Sequence, residues 1–189
     1  MAQGARGDLD LNPSMWERAG VAATKPAAVL VPVIDRAVPT VLFTIRTQEL
    51  ASHAGQVAFP GGKIDPGDES PVAAALREAR EEIGLDPGVV EIVARLSGVA
   101  TAASRFTIAP FVGFLALRPG FTPNPAEVVR VLEVPLSELL DASLYHEERW
   151  DGFQRDMSVY FFELADETVW GATARILTDP LTRLVRTGA

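Results

Sequence analysis

Cysteine is absent from this sequence of 189 residues, and its absence excludes three kinds of chemistry at once. No disulfide bond, no thiolate metal site and no cysteine nucleophile can form in such a chain. The absence fits a reducing compartment, and we expect a cytoplasmic protein.

Long apolar runs and an excess of positive charge are also missing. The stretch MAQGARGDLDLNPSMW has no apolar core of the secretory type, and no run is long enough to cross a bilayer. The formal net charge is -8, so the chain would repel a long anionic polymer. We therefore expect neither a membrane nor a nucleic acid as a partner. A small anionic substrate stays compatible, because arginine, lysine or a metal ion can override the net charge locally.

The composition is that of a folded protein. Hydrophobic residues make up 48% and charged residues 22%, which is ordinary for a globular chain. The length suits one domain with a sizeable core. We expect a single domain over residues 1–189, with a core at about 27–180 and flexible termini.

Hydrophobic patterns predict more strands than helices. Apolar runs predict strands at 27–34 and 40–46, paired as a hairpin, and later ones at 56–60, 89–100, 107–117, 128–134 and 158–164. Helices are predicted at 12–20, 70–84, 135–141 and 171–187, the last one kinked or interrupted by Pro180. The predicted fold class is α+β, with a mixed sheet between helices.

The clearest helix is SPVAAALREAREEIG, residues 70–84. Ser70 can cap its N-terminus, Pro71 suits the first turn and Gly84 can end it. Apolar residues at helical spacing predict a stripe that faces the core. The stripe consists of Val72, Leu76, Ala79 and Ile83.

Three glutamates crowd the second half of this helix. At about 100° per residue, Glu78, Glu81 and Glu82 share one face, nearly opposite the apolar stripe. Like charges at this spacing cost a helix about 0.2–0.5 kcal/mol per pair. Arg77 can pair with Glu81 four residues later, and this relieves only part of that cost. One explanation is a solvated charged face. The other is a site for a hard divalent cation such as Mg2+, and the lack of a histidine or cysteine partner disfavours zinc.

A glycine turn, FPGGKIDPGD, directly precedes the helix. Glycine allows the backbone to approach a ligand closely, so a carbonyl or amide of Gly61 or Gly62 can face a bound group. Asp65, Asp68 and Glu69 either cap the positive end of the helix or support the glutamates from behind. The order of turn, cap and carboxylate face favours the cation site over the solvated face.

The segment from Gly62 to Leu85 resembles the Nudix hydrolase box, G-x5-E-x7-R-E-U-x-E-E-x-G-U, where U is a bulky apolar residue. REAREEIGL, residues 77–85, matches the second half, except that Ala79 stands at the first U. In the first half Asp68 replaces the glutamate, and eight residues rather than seven separate it from Arg77. The resemblance implies a Nudix fold, in which a mixed sheet is sandwiched between helices.

Both departures are similar to the coenzyme A pyrophosphatase branch, which carries PGG-x-x-D-x-x-D and a longer spacing to ALREA-x-EE. That branch also has an upstream motif, roughly L-L-T-x-R-(S/A)-x3-R-x3-G-x3-F-P-G-G. LFTIRTQELASHAGQVAFPGG has Arg46 and Gly55 in register, with Thr47 for the small residue and Ala51 for the second arginine. VWGATARIL, residues 169–177, resembles the branch's IWG-x-TA-x-IL.

This resemblance implies a pyrophosphatase that depends on Mg2+ or Mn2+ and splits coenzyme A into 4′-phosphopantetheine and adenosine 3′,5′-bisphosphate. Acyl-CoA and oxidised CoA belong to the same substrate class. A second possibility is another small diphosphate, namely NADH, ADP-ribose or an oxidised nucleotide, and Ala51 keeps it open. A third is a nucleotide-binding domain without catalysis, which the complete set of glutamates disfavours. The oligomeric state is left open.

The resemblance also assigns roles to the acidic residues. Glu78 and Glu82 are the expected metal ligands, with the carbonyl of Gly61 or Gly62 as a further ligand. Glu81 is either a third ligand or the group that orients a metal-bound water. Arg77 is expected to orient a glutamate.

Other candidates lie outside the box. Glu127, just before a predicted strand, is a fourth carboxylate ligand, the general base or an ordinary surface residue. Arg46 is expected to contact a phosphate, and Lys63 and His53 are expected to contact substrate, each with a plain loop or surface position as the alternative. A predicted polar loop around His146 could supply the base. Trp170 either stacks on an adenine or belongs to the core.

Overall fold

The structure is a computed structural model that describes residues 25–50, 53–101, 105–150 and 157–187. The strands are β1 (Lys25–Ile34), β2 (Thr40–Arg46), β3 (Val57–Ala58), β4 (Gly61–Lys63), β5 (Glu91–Arg95), β6 (Val99–Ala100), β7 (Phe106–Leu115), β8 (Val128–Pro135), β9 (Tyr145–Trp150), β10 (Met157–Glu163) and β11 (Thr168–Trp170). The helices are α1 (Pro71–Ile83), α2 (Leu136–Leu139) and α3 (Gly171–Thr187), with a 3-10 turn at Pro87–Val89. The predicted helix at 12–20 lies outside the described residues.

A mixed sheet of eight strands is built around β1. This strand runs parallel to β7 along its whole length and antiparallel to β2 and β4. The predicted hairpin is confirmed, but β1 and β2 pair only beside their turn, at Val33↔Val41 and Ile34↔Thr40. Farther along, β4 takes the place beside β1, and this puts the glycine turn next to the centre of the sheet.

Both faces of this sheet are covered, which explains the uninterrupted apolar run of β1. Leu30 packs in the core on the α1 side, and Val31 packs in the core that includes α3. Successive residues of a strand point to opposite faces, so a strand between two layers needs apolar residues throughout. The predicted α+β class, with a mixed sheet between helices, is confirmed.

Helix α1 begins and ends where the sequence predicts. Oγ of Ser70 accepts the N–H of Ala73 over 3.1 Å, and Pro71 occupies the first turn. Gly84 has a left-handed φ of 68° and donates to the carbonyl of Arg80 over 2.9 Å. Such a cap favours glycine, because other residues are strained at positive φ.

The buried face of α1 is wider than the predicted stripe. Ala79 and Ile83 are fully buried, while Val72 and Leu76 lie partly buried at the edge of the same core. The helix packs against β1 and β4. It also buries Glu82 and two further alanines, Ala74 and Ala75. The explanation that the glutamates of α1 form a solvated charged face is therefore wrong for Glu82.

Helix α3 closes the other side of the sheet. It continues through Pro180, so the predicted interruption does not occur. Thr173 donates to the carbonyl of Val57 over 3.2 Å and ties the start of α3 to β3. In the described parts of the chain, no helix is both long and apolar enough to cross a membrane.

A second sheet, of order β11-β10-β9, corrects the prediction of a polar loop around His146. His146 lies in β9 and stacks on Phe161 of β10, with ring centroids 4.8 Å apart. The charged residues of β9 show no strand pattern in the sequence, because the apolar residues that stabilise this strand come from another part of the chain. Trp170 of β11 is partly buried and stacks on the other side of Phe161, 6.2 Å away.

Candidate active site

Glu82 is buried against the glycine turn. Its side chain is 2% exposed, and its Oε2 accepts the backbone N–H of Gly61 over 3.0 Å. Its Oε1 lies 3.4 Å from Nη1 of Arg46, the last residue of β2. Strands β4 and β2 thus bring a backbone donor and a guanidinium to one helix carboxylate.

The negative charge at Glu82 is only partly compensated. Burial raises the pKa of Glu82 from 4.5 to about 7, while the N–H of Gly61 and the charge of Arg46 act against the rise. The carboxylates of Glu78 and Glu127 raise this pKa further. Because Glu82 is buried, the explanation of a solvated charged face does not fit this residue. A cation bound beside Glu82 would offset the cost of burying its charge.

Glu78 lies one helical turn earlier and faces the second glycine. A Cβ added at Gly62 would stand 2.5 Å from Cδ of Glu78 and 2.6 and 2.7 Å from its two oxygens. Glycine is therefore required here for close approach rather than for a positive φ. Burial raises the pKa of Glu78, although Arg77 opposes the shift. Glu78 and Glu82 thus meet adjacent residues of β4.

Arg77 connects the glutamates to the turn before the helix. Its Nη1 donates to Glu78 over 3.0 Å and to Glu81 over 3.2 Å, as the sequence predicts. Its Nε and Nη2 donate to the two oxygens of Asp68 over 2.9 and 3.1 Å, and Nη2 also donates to the carbonyl of Lys63. The hydrogen bond from Arg77 is the main cause that lowers the pKa of Asp68. Asp68 therefore supports Arg77 from behind.

Glu81 differs from the other two glutamates. Its side chain is 56% exposed, against 17% for Glu78. Besides its contact with Arg77 it reaches solvent, so it is placed to act on a water molecule more readily than to fill a buried ligand position.

Glu127 joins the cluster from the loop before β8. The carboxylates of Glu78 and Glu82 are close enough for Glu127 to raise both of their pKa values. The loop is tied to the end of α1, because the N–H of Asn124 donates to the carbonyl of Glu82 over 2.8 Å. The side chain of Asn124 then lies 3.4 Å from Oε1 of Glu127. The carbonyl of Glu127 also accepts the N–H of Thr47 over 2.9 Å, which links this loop to the residue after Arg46.

The two other predicted substrate residues lie at the margin. The side chain of Lys63 is exposed, and only its carbonyl contacts Arg77 in the described structure. His53 is exposed, has a positive φ of 56° and places Nδ1 2.9 Å from Oε1 of Gln56. Among the described residues, neither side chain touches the carboxylates.

The carbonyls of Gly61 and Gly62 are not equally well placed to bind a metal ion. Gly62 pairs with Ala28 of β1, between the backbone bonds at Pro60 and Ile64. In an antiparallel ladder the bonded positions alternate, so the carbonyl of Gly62 points toward β1. Gly61 uses its N–H on the helix side, and its carbonyl is the better candidate for a metal ligand.

The donor set fits a hard divalent cation. Within residues 25–50, 53–101, 105–150 and 157–187, no three histidine, aspartate or glutamate side chains form a ready cage for a metal. Mg2+ does not need one, because it commonly binds one or two carboxylates together with waters and substrate phosphates. Glu78 and Glu82 supply two carboxylates with raised pKa values beside a backbone that only glycine permits.

Two contributors to the site are missed by the sequence reasoning. One is the N–H of Gly61, which bonds to a carboxylate 21 positions later. The other is Asn124, which holds both the end of α1 and the side chain of Glu127. The Asx pattern of NPAE, with Oδ1 of Asn124 accepting the N–H of Ala126, signals a fixed turn there but not its partner.

Comparisons with known proteins agree with this geometry. A family model described as the NUDIX domain matches residues 24–157. The uncharacterized Nudix hydrolase NudL of Photorhabdus laumondii is 42% identical over 151 residues, which cover 80% of each chain. Its counterpart of the same name from Yersinia pestis is 39% identical over 158 residues, 82% of this chain and 78% of the relative.

A solved structure shows the same fold. The crystal structure of RenU, a Nudix hydrolase from M. smegmatis, matches with a TM-score of 0.52 and 24% identity, over 62% of this chain and 74% of its own. The family match and the identity to both relatives decide the assignment. The chain belongs to the Nudix hydrolases, which act on the pyrophosphate bond of small nucleotide derivatives.

Proposed function

We propose that this protein hydrolyses the diphosphate of coenzyme A, or of an acyl or oxidised CoA, in the presence of Mg2+ or Mn2+. The products would be 4′-phosphopantetheine and adenosine 3′,5′-bisphosphate. The observation that carries the proposal is the position of Arg46. This residue belongs to the motif that resembles the CoA branch, and its guanidinium lies against Glu82 of the Nudix box.

The acidic residues have separate tasks in this proposal. Glu78 and Glu82 would hold the cation, with the carbonyl of Gly61 beside them. A bound divalent cation neutralises diphosphate charge and lowers the pKa of a coordinated water. Arg77, itself fixed by Asp68, keeps Glu78 in place.

The remaining residues would act on water and substrate. Glu127 would accept the proton of the attacking water, and exposed Glu81 would orient that water from the solvent side. Arg46 would bind a phosphate oxygen of the substrate. Lys63 and His53 would contact more distant parts of the substrate.

Another diphosphate is the second candidate, and a single position favours it. Ala51 replaces the second arginine of the upstream motif, so one expected contact to CoA is lost. The substrates to compare are therefore NADH, ADP-ribose and an oxidised nucleotide such as 8-oxo-dGTP.

A substrate panel tests the proposal. We would incubate the protein with Mg2+ or Mn2+ and each of CoA, NADH, ADP-ribose and 8-oxo-dGTP, and compare kcat/KM. The proposal predicts the highest value for CoA, with adenosine 3′,5′-bisphosphate among the products. Preference for another compound would reject CoA as substrate, and turnover of none would favour a binding domain without catalysis.

A further inference from the structure

The guanidinium of Arg46 is incompletely satisfied where it lies. Its contact with Oε1 of Glu82 is long, at 3.4 Å. Its Nε is buried and has no hydrogen-bond partner in the described structure. Buried donors without partners are rare in proteins and cost free energy. This donor therefore indicates an acceptor that is not part of the chain.

The backbone of Arg46 is held at the end of β2. The register of β2 against β8 shifts between Ile45 and Arg46, where β8 has one residue more than β2. The N–H of Arg46 donates to the carbonyl of Gln56 and its carbonyl accepts the N–H of Gly55, each over 3.1 Å. The strand end is thus fixed, and the guanidinium is the part that can move.

While Arg46 lies beside Oε1 of Glu82, this carboxylate is poorly placed to bind a divalent cation. Its Oε2 is already bonded to the N–H of Gly61, and its Oε1 faces Arg46. Two positive groups on one buried oxygen repel each other strongly. A divalent cation and Arg46 are therefore alternative partners for Oε1.

We propose that Arg46 exchanges partners: it pairs with Glu82 until a divalent cation binds, and then passes to a phosphate of the substrate. This inference rests on the proposed function, since it names the order in which that site is filled. Cation binding and phosphate binding should therefore favour each other. The cation displaces Arg46 from Glu82, and the phosphate gives the displaced guanidinium a new negative partner. Arg46 would then disfavour a phosphate bound without the cation.

Cation binding without substrate is the direct test. We would titrate the full chain with Mn2+, read free Mn2+ by electron paramagnetic resonance, and compare wild type with Arg46→Gln and Arg46→Met. Removing the competing guanidinium should tighten Mn2+ binding roughly threefold to tenfold. The matched control is Arg80→Gln, which removes the same charge from the exposed side of α1, two residues from Glu82, and should change the affinity much less.

Two further measurements separate competition from a general charge effect. In a Glu82→Gln background, Arg46→Gln should no longer tighten Mn2+ binding, because the shared oxygen has lost its charge. With substrate, Arg46→Gln should raise KM by a larger factor than it lowers kcat. Circular dichroism verifies that each variant is folded. If one of the two Arg46 variants is unfolded, the other suffices for the test.

The outcomes distinguish the two proposals. If wild type does not bind Mn2+ at all, the proposed function loses its metal site. If wild type binds Mn2+ but Arg46→Gln and Arg80→Gln change the affinity equally, the exchange of partners is refuted while the proposed function stands.

Discussion

The backbone N–H of Gly61 donates to Oε2 of Glu82 over 3.0 Å, although 21 positions separate the two residues. This bond fixes the glycine turn of β4 to the buried carboxylate of α1. Burial nevertheless raises the pKa of Glu82 to about 7, so the contact does not offset the loss of solvation. The fold thus keeps an ionisable acid in a buried position, as is common at functional sites.

The first prediction concerns stability and pH without divalent cation. Because the folded pKa of Glu82 lies above its ordinary value of 4.5, the folded state binds this proton more tightly than the unfolded state. The free energy of unfolding should therefore fall as pH rises from about 4.5 to 7, with a contribution from Glu82 on the order of 3 kcal/mol. Urea unfolding in EDTA at pH 5 and pH 8 measures it.

Glu82→Gln isolates that contribution. Glutamine keeps the shape but does not ionise, so the variant should be more stable than wild type at pH 8 and should show a flatter pH profile. A variant with the same pH dependence as wild type would show that Glu82 does not titrate in this range. Added Mg2+ should raise the stability of wild type more than that of the variant.

The second prediction uses two glycines of one turn. Ala at position 62 would push against the carboxylate of Glu78, whereas a Cβ at Gly67 meets no atom within 4 Å. Gly62→Ala should therefore fold, because the displaced group is the end of a flexible side chain, but should bind Mn2+ more weakly and lose turnover. Gly67→Ala should match wild type in both. Equal Mn2+ affinity of the two variants would contradict the placement of Glu78 as a ligand.

The third prediction ranks the glutamates of α1. Glu78→Gln and Glu82→Gln should each lower kcat about a hundredfold or more, since a buried electrostatic contact is lost. Glu81→Gln should lower kcat without an equal loss of Mn2+ affinity, because Glu81 is largely exposed. Glu69→Gln, on the exposed turn before α1, is the control and should behave as wild type. Near-normal turnover by Glu82→Gln would remove its assignment as a ligand.

The fourth prediction concerns the loop that carries Glu127. Asn124→Ala keeps the backbone bond to Glu82 but removes the amide beside the carboxylate of Glu127. We expect kcat to fall about tenfold, as when a supporting group of a metal site is removed. In a Glu127→Gln background the same change should have little further effect. Additive losses in the double variant would show that Asn124 does not act through Glu127.

Local patterns predicted the elements that depend on local interactions. Ser70, Pro71 and Gly84 fix the ends of α1 through contacts within a few residues, so their roles could be read directly. The burial of β1 on both faces likewise follows from its apolar run. Strands β4, β9 and β11 were not predicted, because they are short or charged and are defined by partners distant in the sequence.

The site shows the same division. The pairing of Arg77 with Glu81 follows from a spacing of four residues and was predicted. The burial of Glu82 was not, because helical angles say where a side chain projects but not how closely the sheet approaches. Its depth depends on β4 lying beside β1, and on small alanines that let α1 pack closely. Such tertiary distances are not encoded in a short motif.

We propose that Glu78 and Glu82 hold a divalent cation beside the two glycines of β4. Crystals soaked in Mn2+ and measured at the manganese absorption edge test it most directly. We expect an anomalous peak bonded to both carboxylates and next to the carbonyl of Gly61, with Arg46 moved off Oε1 of Glu82. A map without a peak at these residues, with both carboxylates still held by Arg46 and Arg77, would contradict it.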